Sequence, residues 1–296
     1  MSELASKERI KEISEYAYKH GSEKASEVFG VSMSTVGRYK REYQRKTLPK
    51  ILVFDLENAP VSAYVWNTKV WNTYVGHDQI ERDWYMISWS AKWLFDNEVM
   101  GDVLSSNEAI KGDDSRIIKS LWHLFDEADI IIAHNAHKFD VPMANTRFIM
   151  NGMKPASPYQ IIDTLQVARK NFRFTHNKLE YIARLFGIGS KHKTDFQLWV
   201  DCMKGDQGAL AIMSAYNDQD VLLLEEVYLK LRPWIKSHPN LNNFSEDGVC
   251  SYCGSKHIIA KEKPYRTSVN EYQTFQCEEC GGYTRKAKNS LQAVAR

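Results

Sequence analysis

Between Ile51 and Leu231 short apolar runs alternate with longer segments of helical periodicity, and this alternation limits the chain more than any other feature. Ile51 to Leu56, Trp84 to Trp93, Glu98 to Leu104, Ile130 to Ala133 and the pair Ile161 and Ile162 predict strands. Asp114 to Phe125, Pro142 to Met150, Asn177 to Phe186 and Gln207 to Leu231 predict helices. A mixed sheet flanked by helices, of class α/β, is the packing that buries both kinds of element.

Two smaller units flank that core. Residues 6 to 46 predict helix, broken at Gly30 and restarted under a Ser32 cap near Met33, which is a helix-turn-helix pattern. Its second helix offers Ser34, Thr35, Arg38, Tyr39 and Arg41, side chains suited to phosphates and base edges. Gln44 to Lys50 reads as a linker, and the polar stretch Asn240 to Asp247 after Pro239 marks the next boundary. Beyond it, Cys250-x-x-Cys253-Gly254 and Cys277-x-x-Cys280-Gly281 leave 23 residues between the pairs, the spacing of a zinc ribbon. Four thiolates leave no open position on a tetrahedral ion, so one structural Zn²⁺ is expected. The expected units are thus a small all-α helix-turn-helix at 1–47, the α/β core at 51–236 and a small β zinc ribbon at 247–288.

Charge separates the same regions. Residues 1 to 50 carry 11 basic and 7 acidic side chains, residues 51 to 250 carry 20 and 26, and residues 251 to 296 carry 8 and 4. Basic ends could contact phosphates, whereas an acidic centre that handles nucleic acid needs divalent cations. Lys256, His257, Lys261, Lys263, Tyr265, Arg266, Tyr272, Phe275, Arg285 and Lys286 mix cations with aromatics around the cysteines. No apolar run approaches a membrane span and no signal-like stretch opens the chain, so an intracellular, cytoplasmic protein without a membrane partner is expected.

The candidate chemistry lies where strands end. Asp55 and Glu57 stand at i and i+2, on one face of the first strand, and repel unless a cation sits between them. His134-Asn135-Ala136-His137-Lys138-Phe139-Asp140 delivers another carboxylate from a strand-to-helix loop. Tyr216 and Asp220, four positions apart, share one face of the long helix. Each piece alone has a structural explanation: Asp140 as a helix cap, Tyr216 as a packed aromatic.

In this order, DxE, NxxxFD and YxxxD resemble the DEDD (DnaQ-like) exonuclease superfamily, in particular its tyrosine branch, including the proofreading domain of family B DNA polymerases and predicted phage exonucleases. The likeness spans roughly residues 51 to 232. It implies a ribonuclease H-like fold, two Mg²⁺ or Mn²⁺ ions, and release of nucleotides from 3′ ends, of DNA in preference to RNA and single strands in preference to duplex. By the same resemblance Asp55 bridges both ions, Glu57 and Asp220 hold the ion nearest the attacking water, Asp140 supports from the outer sphere, and Tyr216 orients the water. Asn135 would help hold the 3′ terminus, with Phe139 packed beneath the loop. Asp163-Thr164 stands where relatives often carry a DT pair and reads as packing support. Of the aromatics from Tyr64 to Trp93, among them Trp66, Trp71, Tyr74, Trp84, Tyr85 and Trp89, most read as core, with one or two left to stack on bases. An exoribonuclease, a polymerase-associated proofreading subunit and a DNA-binding regulator with a vestigial core are the alternatives.

Overall fold

The computed structural model describes residues 2–47, 49–66, 74–189, 194–244 and 248–286, without the side chains of 2–7, 19, 41, 42 and 44–47. It divides into two compact units: Ile51–Trp93 with Glu98–Val227, and Met1–Lys50 with Leu94–Asn97 and Tyr228–Arg296.

The first unit is built on β1 (Ile51–Asn58), β4 (Met86–Trp93), β5 (Met100–Val103), β6 (Ile130–Ala133) and β7 (Gln160–Asp163), in the order β5-β4-β1-β6-β7. β4 runs antiparallel to β1 and β5, while β1, β6 and β7 run parallel, so the sheet is mixed as the alternation predicts. A short hairpin of β2 (Ser62–Ala63) and β3 (Ile80–Arg82) stands between β1 and β4. The helices of this unit are α4 (Ser106–Lys111), α5 (Ser115–Glu127), α6 (Asp140–Met150), α7 (Thr164–Asn171), α8 (Leu179–Leu185), α9 (Phe196–Met203) and most of α10 (Gln207–Leu231).

Alternation along β1 decides what each sheet face does. Leu52, Phe54 and Leu56 are buried in a cluster with Ile117, Ile118, Leu121 and Phe125 of α5, and the Phe54 and Phe125 rings meet edge to face at 4.9 Å. The odd-numbered Asp55 and Glu57 project to the other face. Arg147 of α6 grips Asp114 with two bonds of 2.6 Å, and Asp114 also accepts Met86 N at 2.9 Å, so all three charged and polar ends are satisfied below the surface. Lys92 of β4 pairs with Glu225 of α10, both buried.

In the second unit α1 (Ser2–His20), α2 (Ser22–Phe29) and α3 (Met33–Thr47) pack through Ile13, Ala17, Ala25 and Val36. The turn at Gly30 and the start at Met33 fall where the sequence puts them, and the Ser32 hydroxyl accepts from Thr35 N at 3.4 Å. A further break at Gly21 separates α1 from α2, which helical periodicity alone does not expose. Helix α3 runs to Thr47, so the segment expected to be a linker from Gln44 is helical over its first four residues. Strands β8 (Ile258–Arg266), β9 (Glu271–Cys277) and β10 (Tyr283–Arg285) form an antiparallel sheet beside the four clustered cysteines, the layout a small ribbon requires.

These two ends of the chain pack on each other. Tyr18 OH donates to the Gly254 carbonyl, and Lys40 Nζ, on a side chain only 7% exposed, lies 2.7 Å from Glu279 Oε1. Glu279 sits inside the second CxxC turn.

Candidate active site

Two backbone elements bring three of the acidic residues together. Asp55 and Glu57 hang from the end of β1, next to an irregularity in the β1–β4 register between Glu57 and Asn58. Asp220 comes from α10. One carboxylate oxygen from each of Asp55, Glu57 and Asp220 lies within 4.8 Å of the others. At that spacing two like charges repel by about 3 kcal/mol at an effective dielectric near 20, so the ionised cluster is stable only with a cation or shared protons. Oxygen donors at this separation suit a hard divalent cation.

Asp140 opens α6 and is 2% exposed. Burial first, then the nearby Asp163 and Glu57 carboxylates, push its carboxyl up to about 8. Its Oδ2 is buried with no hydrogen-bond partner among the described residues. A buried acid near Glu57 with one oxygen lacking a donor has the character of a group suited to a cation or a water. Asp140 does not cap α6 in the conventional way, because the N-cap position is Phe139 and makes no side-chain cap bond.

The loop before Asp140 is held from β7. Asp163 accepts the backbone N–H of Asn135 and His137 at 3.2 Å each and that of Gln166 at 3.1 Å, the last of these capping α7. Asp163 is therefore the packing support the sequence suggested. Asn135 sits at φ +89°, a conformation asparagine tolerates better than most residues, and its carbonyl accepts from Lys138 N and Phe139 N. His134 donates Nε2–H to the Asn177 carbonyl at 2.8 Å and meets the Thr164 hydroxyl at 2.9 Å, so it is anchored structurally. Phe139 corrects an expectation: it is 41% exposed instead of packed beneath the loop. An exposed ring next to Asp140 is open to a ligand.

Tyr216 lies one turn before Asp220 on α10 and is half-buried, with Trp199 of α9 set edge-on at 6.3 Å. Sequence reasoning missed Trp199 and α9 altogether. It also missed Asn217, which is fully buried and donates Nδ2–H to Asp55 Oδ2 at 2.7 Å. A polar residue on the buried helical stripe Met213, Val221, Leu224 was the available signal. Of the aromatics, Tyr85 and Trp89 are core, whereas Tyr64, Trp66 and Tyr74 are exposed; Trp71 lies outside the described residues.

The other candidate residues stand apart from this centre. Cys250, Cys253, Cys277 and Cys280 bring their sulfurs within 4.8 Å of one another, with Cys250–Cys280 and Cys253–Cys277 both at 3.6 Å. A tetrahedron with metal–sulfur bonds of about 2.3 Å has edges of about 3.8 Å, so the sulfurs fit one ion. Gly254 and Gly281 take φ of +70° and +75° and return their N–H to Cys250 O and Cys277 O at 2.9 Å, closing each turn in a conformation that disfavours a Cβ. Several cations nearby are engaged: Arg285 lies over the Tyr272 ring at 4.0 Å and Arg266 bonds Glu271 at 2.6 Å. On α3, Ser34 and Arg38 are exposed, Thr35 is half-buried, and the Arg41 side chain lies outside the described residues.

Among the described residues no helix is long and apolar enough to cross a membrane. No curated protein matches the chain. Residues 93–232 match the family model described as RNase_H superfamily. The match begins at the end of β4, so Asp55 and Glu57 lie outside it, yet β1 is the central strand of the same sheet. That match and the mixed sheet flanked by helices fit a ribonuclease H-like fold, whose acidic cluster draws on both the matched region and the strand before it.

Proposed function

We propose that this chain is a two-metal-ion 3′–5′ exonuclease of the tyrosine-containing DEDD type, acting on DNA with a preference for single strands. The observation that carries the reading is the convergence of Asp55, Glu57 and Asp220, with Asp140 buried beside Glu57 and Tyr216 one helical turn from Asp220. Asp55 would hold both Mg²⁺ or Mn²⁺ ions, with Glu57 and Asp220 on the side of the attacking water. When bound, such ions stabilise charge on the attacking and leaving oxygens of the phosphodiester. Tyr216, held edge-on by Trp199, would orient the water through its hydroxyl. Asp140 would retain its proton until cations arrive and then act from the outer sphere. Phe139, exposed beside the site, and Asn135 would contact the terminal nucleotide.

The remaining units fit a role in gripping substrate. The α2–α3 pair, through Ser34, Thr35, Arg38 and Arg41, would contact duplex or backbone, and Zn²⁺ on the four cysteines would hold the ribbon.

End-labelled single- and double-stranded DNA and RNA, incubated with Mg²⁺ or Mn²⁺, test the proposal. The wild type is expected to release mononucleotides from DNA 3′ ends, and Asp55→Ala to fall to background. Endonucleolytic products, strict 5′ release or full activity of Asp55→Ala would refute it.

A further inference from the structure

A hydrogen bond ties the buried amide of Asn217 to the acidic cluster. Its Nδ2 donates to Asp55 Oδ2 at 2.7 Å, and its Oδ1 accepts from the Ser88 hydroxyl at 3.2 Å. Asn217 is fully buried and Ser88 is 1% exposed. Ser88 stands opposite Glu57 in the β1–β4 register, and Ser90, opposite Asp55, donates to Asp218 Oδ1 at 2.6 Å. Two inward serines of β4 thus hold two successive residues of α10.

We propose that Asn217 is a positioning residue for Asp55, and that Ser88 holds the other end of the amide. The inference rests on the exonuclease reading only for the identity of the chemistry served. A carboxylate turns about a broad two-fold torsion, and Asp55 among other acids is driven to rotate away from them. The N–H from Asn217 ties Oδ2 on the side of α10 and so fixes the torsion of the carboxylate. A lysine or arginine there would orient Asp55 as well, but its charge would compete with the divalent ions; an aspartate would add to the repulsion. A neutral donor does neither. The Asp55 carboxylate only accepts, so the amide turns its N–H end toward it, and the Ser88 hydroxyl satisfies the carbonyl end that this leaves on the other side. Because Asp220 lies three residues beyond Asn217 on the same face, the bond also fixes the distance between the β1 carboxylates and Asp220.

Mn²⁺ binding to the full-length, zinc-loaded protein without nucleic acid, followed by the electron paramagnetic resonance of free Mn²⁺, tests this, with Asp55→Ala identifying the site. Asn217→Ala is expected to bind Mn²⁺ about 10- to 100-fold more weakly, the range for loss of a group that orients a metal ligand. It should lose kcat while KM for DNA changes little, and higher Mn²⁺ should restore part of the rate. Ser88→Ala should weaken Mn²⁺ binding in the same direction, and the double variant should be no worse than Asn217→Ala alone. Wild-type Mn²⁺ affinity in a folded Asn217→Ala protein overturns the proposal; if that variant does not fold, wild-type affinity in Ser88→Ala overturns it. An active exonuclease whose Asn217→Ala variant binds Mn²⁺ normally refutes the positioning role alone. Weakened Mn²⁺ binding in a wild-type background that releases no nucleotide supports the positioning role and refutes the exonuclease reading.

Discussion

Replacing Asp140 by Asn keeps the shape of the side chain and removes its charge, and the structure predicts a pH-dependent gain in stability without added divalent ions. The Asp140 carboxyl, 2% exposed, moves from an ordinary 3.8 to about 8, chiefly through burial and then through Asp163 and Glu57. A carboxyl held higher in the folded than in the unfolded chain contributes its full share below about 3.8 and loses it as pH rises through about 8. At roughly 1.4 kcal/mol per unit the ceiling on that loss is about 6 kcal/mol. Proton sharing with Glu57 and Asp163, and water entering the site, bring the expected difference nearer 2 to 3 kcal/mol, or about 5 to 10 °C in Tm for a domain of this size. Thermal melts in chelator from pH 4.5 to 9 should show Asp140→Asn close to wild type at the acid end and increasingly more stable toward pH 9. Mn²⁺ should then raise the wild-type Tm more than that of the variant, while nuclease activity is lost. A constant offset between the two proteins across that range would refute the account of Asp140 as a buried acid in need of a cation.

Three further outcomes follow from buried polar groups. Lys92→Met, which strands Glu225 without its partner, should cost about 3 to 5 kcal/mol in urea unfolding, and Lys92→Met with Glu225→Leu should recover most of it; equal costs would show that the pair does not anchor α10 to β4. His238 is held at about 4, below an ordinary 6.5, chiefly by burial; its Nε2 accepts from Tyr228 OH at 2.8 Å and its Nδ1 donates to Pro239 O at 2.7 Å. The stability it contributes is present above about 6.5 and lost as pH falls toward 4, so Tm should fall across that window in wild type and less steeply in His238→Asn. Stripping metal from the four cysteines with a mercurial should lower helical circular dichroism at 222 nm, since Tyr18 and Lys40 of the N-terminal helices lean on the cysteine turns; metal release with an unchanged helical signal would refute that dependence.

Much of the core was legible because its signals are local. Ile130–Ala133 and Gln207–Leu231 begin and end where the apolar periodicity does, and Asp55 and Glu57 stand out by their place at a strand end. Helices α4, α7 and α9 were not, being six to eight residues long, too short for periodicity to separate from loop. The packing of the first fifty residues on the cysteine turns was equally hidden, because a Lys40–Glu279 contact spans most of the chain and leaves no mark in either local pattern.

The acidic cluster shows why order along the chain was informative when no single residue was. Asp55 and Glu57 are on one strand face by alternation, and Tyr216 and Asp220 on one helix face by their spacing, but nothing local says those faces meet. They meet because β1 is the central strand, so its odd-numbered side is open to α10 while Leu52, Phe54 and Leu56 are committed to α5. Three carboxylates pressed within 4.8 Å are a local energetic defect, and the structure surrounds the defect with neutral help: an amide from Asn217, a hydroxyl from Ser88, backbone N–H groups on Asp163. Arginine is one way to hold a buried carboxylate, as Arg147 holds Asp114. At Asp55 the amide of Asn217 orients the carboxylate without adding a positive charge that would compete with a divalent cation.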